Sequence, residues 1–293
     1  MRIIDAHNHP DWLGHDFTRM LENMDKNNIE RCWLLSHICP RNEHNVIYNE
    51  VMGGAVLGMS DGPVPFTRCL SYKERAPERF ILGYSPDPRD REACRMLIAA
   101  NKIYGAKICG EVKIRTMYDS PDCIRLFHTA GELGMPVVMH FDYDRQTTYK
   151  DPWTEWYGGS IHTLERVLQE CPDTIFLGHA PGFWIHISND ELWKTNSYPN
   201  IEKDKIVPGG EVVRLLRKYP NLYCDISAGS GRMALSRDKK FTKELLTEFQ
   251  DRFLYARDCF DNSHQELLNS LDLPEEILKK LYAENALHLV PEN

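Results

Sequence analysis

Eight short apolar segments, each separated from the next by a longer helix-patterned stretch, constrain this chain more than any other feature. They cover 2–9, 31–36, 80–85, 110–115, 136–141, 174–179, 222–227 and 253–258. Several are nearly continuous hydrophobic runs, the pattern of parallel strands covered on both faces. The stretches between them carry helix punctuation. Ser120 followed by Pro121 reads as an N-cap with proline at the first helical position, and Gly134 as a C-terminal stop. Ser263 and Glu266 are spaced as a capping box, and Pro274 opens a last helix with Ile277, Leu278, Leu281 and Tyr282 on one stripe. Eight strands alternating with helices predict an α/β chain forming one (β/α)8 TIM barrel over 1–293. A doubly wound open sheet is the competing fold. No G-x-G-x-x-G follows the first strand, which weakens its dinucleotide-binding form.

The chain has 293 residues, 42% hydrophobic and 27% charged, enough apolar material for a large core and too much for general disorder. A net charge of -8 leaves no basic stripe for phosphate contacts, so a nucleic-acid partner is not expected. No apolar run approaches the roughly 20 residues that span a bilayer, so no membrane partner is expected either. The first residues carry no charged region followed by an apolar stretch, so no secretion signal is read and the cytoplasm is the expected compartment. Nine cysteines, scattered without a C-x-x-C pair, read as reduced thiols. The expected partner is a small-molecule substrate, with a homo-oligomer left open.

The chemistry gathers at strand ends. Asp5, His7 and His9 alternate along the first segment, so both imidazoles, with Asp5 one step deeper, are expected on one face. Two imidazoles side by side can give two nitrogen ligands to one divalent cation; two satisfied core histidines are the plain alternative. His140 closes the apolar run 136–140 of the fifth segment, His179 ends the sixth and Asp258 ends the eighth. Polar groups recurring at the C-terminal ends of apolar strands mark the catalytic end of a barrel. In the fourth segment Glu111, Lys113 and Arg115 share a face, where buried charge is costly unless paired or metal-bound. Glu111 is read as bridging two cations or orienting a ligand histidine, and Lys113 as its partner.

Two long polar and aromatic stretches, about 142–160 and 180–208, follow the fifth and sixth strands. Trp153, Trp156 and Tyr157 in the first, and Trp184, His186 and Trp193 in the second, could wall a pocket for a ring or close their own small cores. Arg115, Arg145 and Arg232 are candidate carboxylate clamps. The apolar, glycine-rich 52–59 segment could pack at a pocket or at a subunit contact.

These residues, in this order, resemble the amidohydrolase superfamily, in the amidohydrolase-related branch that includes aminocarboxymuconate-semialdehyde decarboxylase. The matching pieces are 4–9, His140, 177–182, 222–227, 254–258 and a closing helix at 282–289. The resemblance implies that His7, His9, His140 and Asp258 surround a divalent cation, most simply Zn²⁺, with Mn²⁺ or Fe²⁺ open. It implies that His179 is a second-cation ligand or an acid/base group, and that Glu111 corresponds to the strand-four glutamate of relatives with two cations. One departure stands out. Strand eight usually ends Gly-Thr-Asp or Gly-Ser-Asp and here ends Ala256, Arg257, Asp258, so Arg257 should point away from the barrel axis.

The function expected is a metal-dependent hydrolase acting on a C–N, ester or lactone bond. Asp258 would take the proton of the attacking water and pass it to the leaving group, and His179 would stabilise the oxyanion or position the substrate. A metal-dependent decarboxylase of a carboxylated ring, a lyase, uses the same ligands and is the alternative. A degenerate barrel serving only as a binding protein is disfavoured by the full ligand set.

Overall fold

In the computed structural model, which describes residues 1–38, 40, 43, 64–142, 157–195 and 199–292, the eight apolar segments form eight strands. They are β1 Ile4–Asn8, β2 Arg31–Leu35, β3 Phe80–Tyr84, β4 Ile108–Val112, β5 Val137–His140, β6 Phe176–His179, β7 Leu222–Asp225 and β8 Phe253–Leu254. Neighbours pair in parallel and in chain order. Two backbone bonds, Ala6 N to Tyr255 O at 3.0 Å and Asp258 N to His7 O at 2.9 Å, join the eighth strand region to the first. The sheet therefore curls into the (β/α)8 TIM barrel expected from the alternation.

Strand alternation splits the core into two layers. Inward-facing Ile4, Ala6, Trp33, Leu35, Val138 and Leu177 fill the barrel, while Cys32, Leu34, Val137, Met139, Phe176 and Phe253 pack outward against helices. Each fully buried large side chain of this kind contributes about 1.5–3 kcal/mol.

Period-two alternation fails in two places, and both matter for the site. Along β1 and β2, Asp5 pairs with Cys32 and Asn8 with Leu34, three steps against two. Along β4 and β5, Cys109 pairs with Val137 and Val112 with Met139, again three steps against two. A one-residue slip moves the side chains beyond it to the opposite face. It turns His7 and Glu111 into the barrel mouth. It also corrects the expectation that Asp5 shares a face with His7: Asp5 lies before the slip and points into the helix layer. β4 begins and ends earlier than expected, so Lys113 and Arg115 lie beyond the strand.

Helix punctuation follows the sequence in most places. Ser120 caps the helix Pro121–Glu132, its side chain accepting from Cys123 N, and Gly134 sits at φ 65, which glycine adopts freely. Pro274 immediately precedes the helix Glu275–Lys279. The capping box at Ser263 does not form: Ser263 is already helical, and Asp261 Oδ1 accepts from both Ser263 N (2.9 Å) and Ser263 Oγ (2.6 Å). Asp261, two residues upstream, engages the Ser263 hydroxyl and leaves Glu266 without that partner. Among the described residues, no helix is long and apolar enough to cross a membrane, and the eight described cysteines are free.

Candidate metal centre

The last inward positions of five strands, with the two slipped ones, converge at the C-terminal mouth. β5 ends in His140 and β6 in His179. β7 ends in Asp225, and His37 follows β2 at the next inward position after Leu35. Beyond β8 the alternation runs Tyr255 out, Ala256 in, Arg257 out, Asp258 in. The expected outward turn of Arg257 is what the chain adopts. Three residues just past strand ends hold positive φ: Ala180 (76), Ala228 (59) and Asp258 (50). Such conformations cluster at functional sites, where surrounding contacts hold them. Asp258 is held by its own N–H to His7 O and by Trp12 Nε1 donating to its carbonyl at 3.2 Å.

His7 Nε2 and His9 Nε2 stand 3.2 Å apart. The other nitrogen of each ring is committed: His7 Nδ1 lies 2.6 Å from Asp225 Oδ2, and His9 Nδ1 donates to Leu35 O at 2.8 Å. Glu111 Oε2 is 3.4 Å from His9 Nε2 and 3.9 Å from His7 Nε2. Asp258 Oδ1 is 3.5 Å from His9 Nε2, and this buried oxygen has no hydrogen-bond partner among the described residues. The other oxygen of Glu111, Oε1, accepts from His140 Nδ1 at 2.6 Å and lies 3.6 Å from His179 Nε2. His179 Nδ1 is 2.9 Å from Ser227 Oγ.

Burial works against a charged His7, but Asp225, then Asp258 and Glu111, outweigh it and push its pKa up to about 10. Burial lowers His37 and His179 to about 3 and His140 to about 4, so all three are neutral imidazoles at neutral pH. Burial alone would raise Glu111, yet His140, His37 and His9 around it hold it well below the usual carboxylate range. Burial raises Asp258. Burial would lower Lys113, but Glu111, Tyr157, Asp258 and Asp142 raise it; its Nζ lies 5.7 Å from the Tyr157 ring centroid.

Two imidazole nitrogens at 3.2 Å repel unless a proton or a cation lies between them. His7 Nε2, His9 Nε2 and Glu111 Oε2 converge as one group, with Asp258 Oδ1 beside His9 Nε2. Around one ion with bonds of about 2.0–2.2 Å, tetrahedral donors must stand roughly 3.3–3.6 Å apart. Glu111–His9 at 3.4 Å and Asp258–His9 at 3.5 Å meet that demand, His7–His9 at 3.2 Å is slightly short of it and Glu111–His7 at 3.9 Å is longer. Glu111, His140 and His179 form a second convergent group, and His7, His179 and Asp258 a third overlapping one. All six residues expected around the cation are thus brought together, with Glu111 shared between the His7/His9 side and the His140/His179 side. His140 sits with Glu111 and His179 rather than beside the His7/His9 pair.

The expected substrate contacts fare differently. Trp184 is not a pocket wall: it is 1% exposed, packs on Phe183 and Phe253, and donates from Nε1 to Asp225 O at 3.1 Å. The short helix Pro181–Trp184 after β6 folds its aromatic end back under β7. Gly182 makes this possible, because a Cβ there would meet Asp142 O at 1.7 Å. Of the loop aromatics, Tyr157 reaches the site, its ring 5.6 Å from that of His140, and Trp193 pairs with His186. Arg115 follows β4, half-buried. Arg232 lies on the helix Ala228–Ser236, and its charge bears on Asp261 and His264. Arg145, Trp153, Trp156 and the 52–59 segment lie outside the described residues. Sequence reasoning assigned no role to Asp225 or His37. Asp225 ends β7 as His140 and His179 end β5 and β6, and His37 is the next inward position beyond β2, so counting by twos along every strand reaches both.

The amidohydrolase family matches this chain over residues 4–291. The chain belongs to the amidohydrolase family of enzymes. Solved structures share the fold at low identity. A 5-carboxyvanillate decarboxylase from Sphingomonas paucimobilis is 12% identical with a TM-score of 0.63, covering 100% of this chain and 99% of its own. A dihydroxybenzoic acid decarboxylase from a Polaromonas species, with bound manganese and the inhibitor 2-nitroresorcinol, is 16% identical with a TM-score of 0.61, covering 98% and 96%. A probable 2-pyrone-4,6-dicarboxylic acid hydrolase from Acinetobacter baumannii, with citric acid bound, is 11% identical with a TM-score of 0.58, covering 99% and 99%. No curated protein matches the chain in sequence.

Proposed function

We propose that this chain is a metal-dependent lyase that removes a ring carboxylate as carbon dioxide, with a divalent cation held by His7, His9, Glu111 and Asp258. The observation that carries the reading is Lys113, a half-buried cation whose Nζ stands 5.7 Å from the Tyr157 ring centroid and whose charge bears on Glu111, Asp258 and Asp142. A substrate carboxylate entering a site already rich in carboxylates needs such a cation; a neutral amide or lactone does not. The decarboxylases that share the fold act on hydroxylated aromatic acids and add support.

When bound, the cation supplies Lewis-acid polarisation of substrate oxygens. The protein's own groups do the rest. Lys113 pairs with the substrate carboxylate and Tyr157 lies against the ring. Asp258, beside His9 at the barrel mouth, delivers a proton to the ring carbon as the bond to the carboxylate breaks. One C–C bond is lost, one C–H bond forms, carbon dioxide leaves, and solvent returns the proton to Asp258. His179, held by Ser227, orients the substrate.

A second reading, hydrolysis of a C–N, ester or lactone bond, is favoured by the position of Glu111 between two imidazole groups, which suits a pair of cations. Isotope tracing separates the two. Protein loaded with Mn²⁺ or Zn²⁺ is incubated in D₂O with 2,6-dihydroxybenzoate and 5-carboxyvanillate, and in H₂¹⁸O with 2-pyrone-4,6-dicarboxylate. The lyase releases carbon dioxide from a ring acid and leaves one deuterium on the vacated carbon. No carbon dioxide from either acid, with ¹⁸O in the opened lactone, overturns it in favour of the hydrolase.

A further inference from the structure

A second cluster of charge is buried directly behind the cation-binding face, in the layer between barrel and helices. Asp5 and Arg257 are both 0% exposed, and Arg257 Nε donates to Asp5 Oδ2 at 2.8 Å. Asp5 Oδ1 also accepts the Arg257 backbone N–H at 2.9 Å and lies 3.4 Å from His7 N. Asn8 Nδ2 donates to Asp5 Oδ2 at 3.2 Å and to Cys259 O at 2.9 Å. Arg257 Nη1 donates to Asn23 Oδ1 at 2.8 Å, anchoring the cluster on the helix Phe17–Lys26.

One carboxylate therefore gathers N–H groups from residues 7, 8 and 257. These are the residues at or next to the proposed ligands His7, His9 and Asp258. Stability alone does not explain it, because apolar residues of similar volume hold a seam at least as well as a buried ion pair. Hydrogen bonds differ from apolar contacts in being directional, and direction is what a ligand set needs. Arg257 falls where strand eight departs from the Gly-Thr-Asp and Gly-Ser-Asp endings, so its half of the pair belongs to this chain.

We propose that the Asp5–Arg257 ion pair is the positioning element that fixes Asp258 relative to the His7/His9 pair, and so sets the affinity and coordination of the cation. The inference rests on the reading that a divalent cation is held there. It acts through backbone: Asp258, at φ 50, is tied to His7 O on one side and follows Arg257 on the other.

Cobalt(II) titration tests it. The variants are Asp5→Asn/Arg257→Met, which leaves no unpaired buried charge, and Arg257→Lys, which keeps the charge but loses the guanidinium fork. Affinity is read by chelator competition and coordination by the d–d absorption, with thermal unfolding of the metal-free samples alongside. The double variant should bind cobalt about 10–100-fold more weakly with an altered spectrum, and Arg257→Lys should fall between it and wild type. Wild-type affinity and spectrum in the double variant, whatever its melting temperature, overturn the proposal. If the double variant does not fold, wild-type affinity and spectrum in Arg257→Lys overturn it. A wild-type protein that takes up no cobalt overturns the cation site itself, and this inference with it.

Discussion

His7 and His9 face each other through Nε2 atoms 3.2 Å apart while their Nδ1 atoms are held by Asp225 and by the Leu35 carbonyl. The two lone-pair directions are thereby aimed at one point, and Asp258 Oδ1 and Glu111 Oε2 close on it. The convergence predicts separable roles. His7→Ala with His9→Ala should abolish stoichiometric divalent metal, measured on the dialysed protein. Asp258→Asn should retain much of it while turnover falls about 10²–10⁴-fold. Asp258→Asn with full turnover would remove Asp258 from the proton transfer.

The protonation of His7 gives a pH dependence. Burial opposes its cation, but Asp225, Asp258 and Glu111 raise its pKa to about 10, so metal-free protein carries a proton there at pH 7. A ligand imidazole must be neutral, so metal binding expels that proton. Calorimetry in buffers of different ionisation enthalpy should find about one proton released per ion at pH 7. Affinity should rise with pH up to about 10 and then level. Affinity that is flat from pH 7 to 9 contradicts this.

Asp225 Oδ2 holds His7 Nδ1, the ring nitrogen opposite the proposed ligand atom Nε2, and Ser227 N in turn donates to Asp225 Oδ1 at 2.8 Å. Asp225→Asn should leave the fold intact and weaken metal binding about 10–100-fold. It should also remove the largest force holding the His7 proton, so fewer protons are released on binding at pH 8. Equilibrium dialysis against a chelator buffer checks the first effect, and the calorimetric experiment the second.

Trp184 offers a contrast. Its indole is core and its Nε1 donates to the Asp225 carbonyl. Trp184→Phe should cost about 1 kcal/mol or somewhat more of stability through the lost bond and the smaller ring. KM should stay unchanged, as read from denaturant unfolding and steady-state kinetics. A raised KM with unchanged stability would restore Trp184 to the pocket wall.

The barrel and much of its centre are legible from strand periodicity. His140, His179 and Asp258 end apolar runs on the inward face, and counting by twos from Leu177 or Ala256 reaches the last two. The same count misleads at Asp5, because the slip between Asp5 and Asn8 is a property of how β1 pairs with β2, which no single segment encodes. Glu111 faces inward through the equivalent slip in β4. Trp184 misleads for a different reason: an aromatic in a long polar stretch carries no mark of whether the chain folds back. Here Gly182, at the point of closest approach to Asp142, permits it. Asp225 lies two residues inside the apolar 222–227 segment and His37 one residue beyond the 31–36 segment, so neither ends a segment although both are inward-facing at the barrel mouth.

The most direct measurement is diffraction from crystals of the metal-loaded protein collected on both sides of the metal's absorption edge. An anomalous peak bounded by His7 Nε2, His9 Nε2, Glu111 Oε2 and Asp258 Oδ1 is the expected result, with any second peak on the Glu111, His140 and His179 side. A full-occupancy ion elsewhere, or no anomalous peak at all in protein that is active, would contradict it.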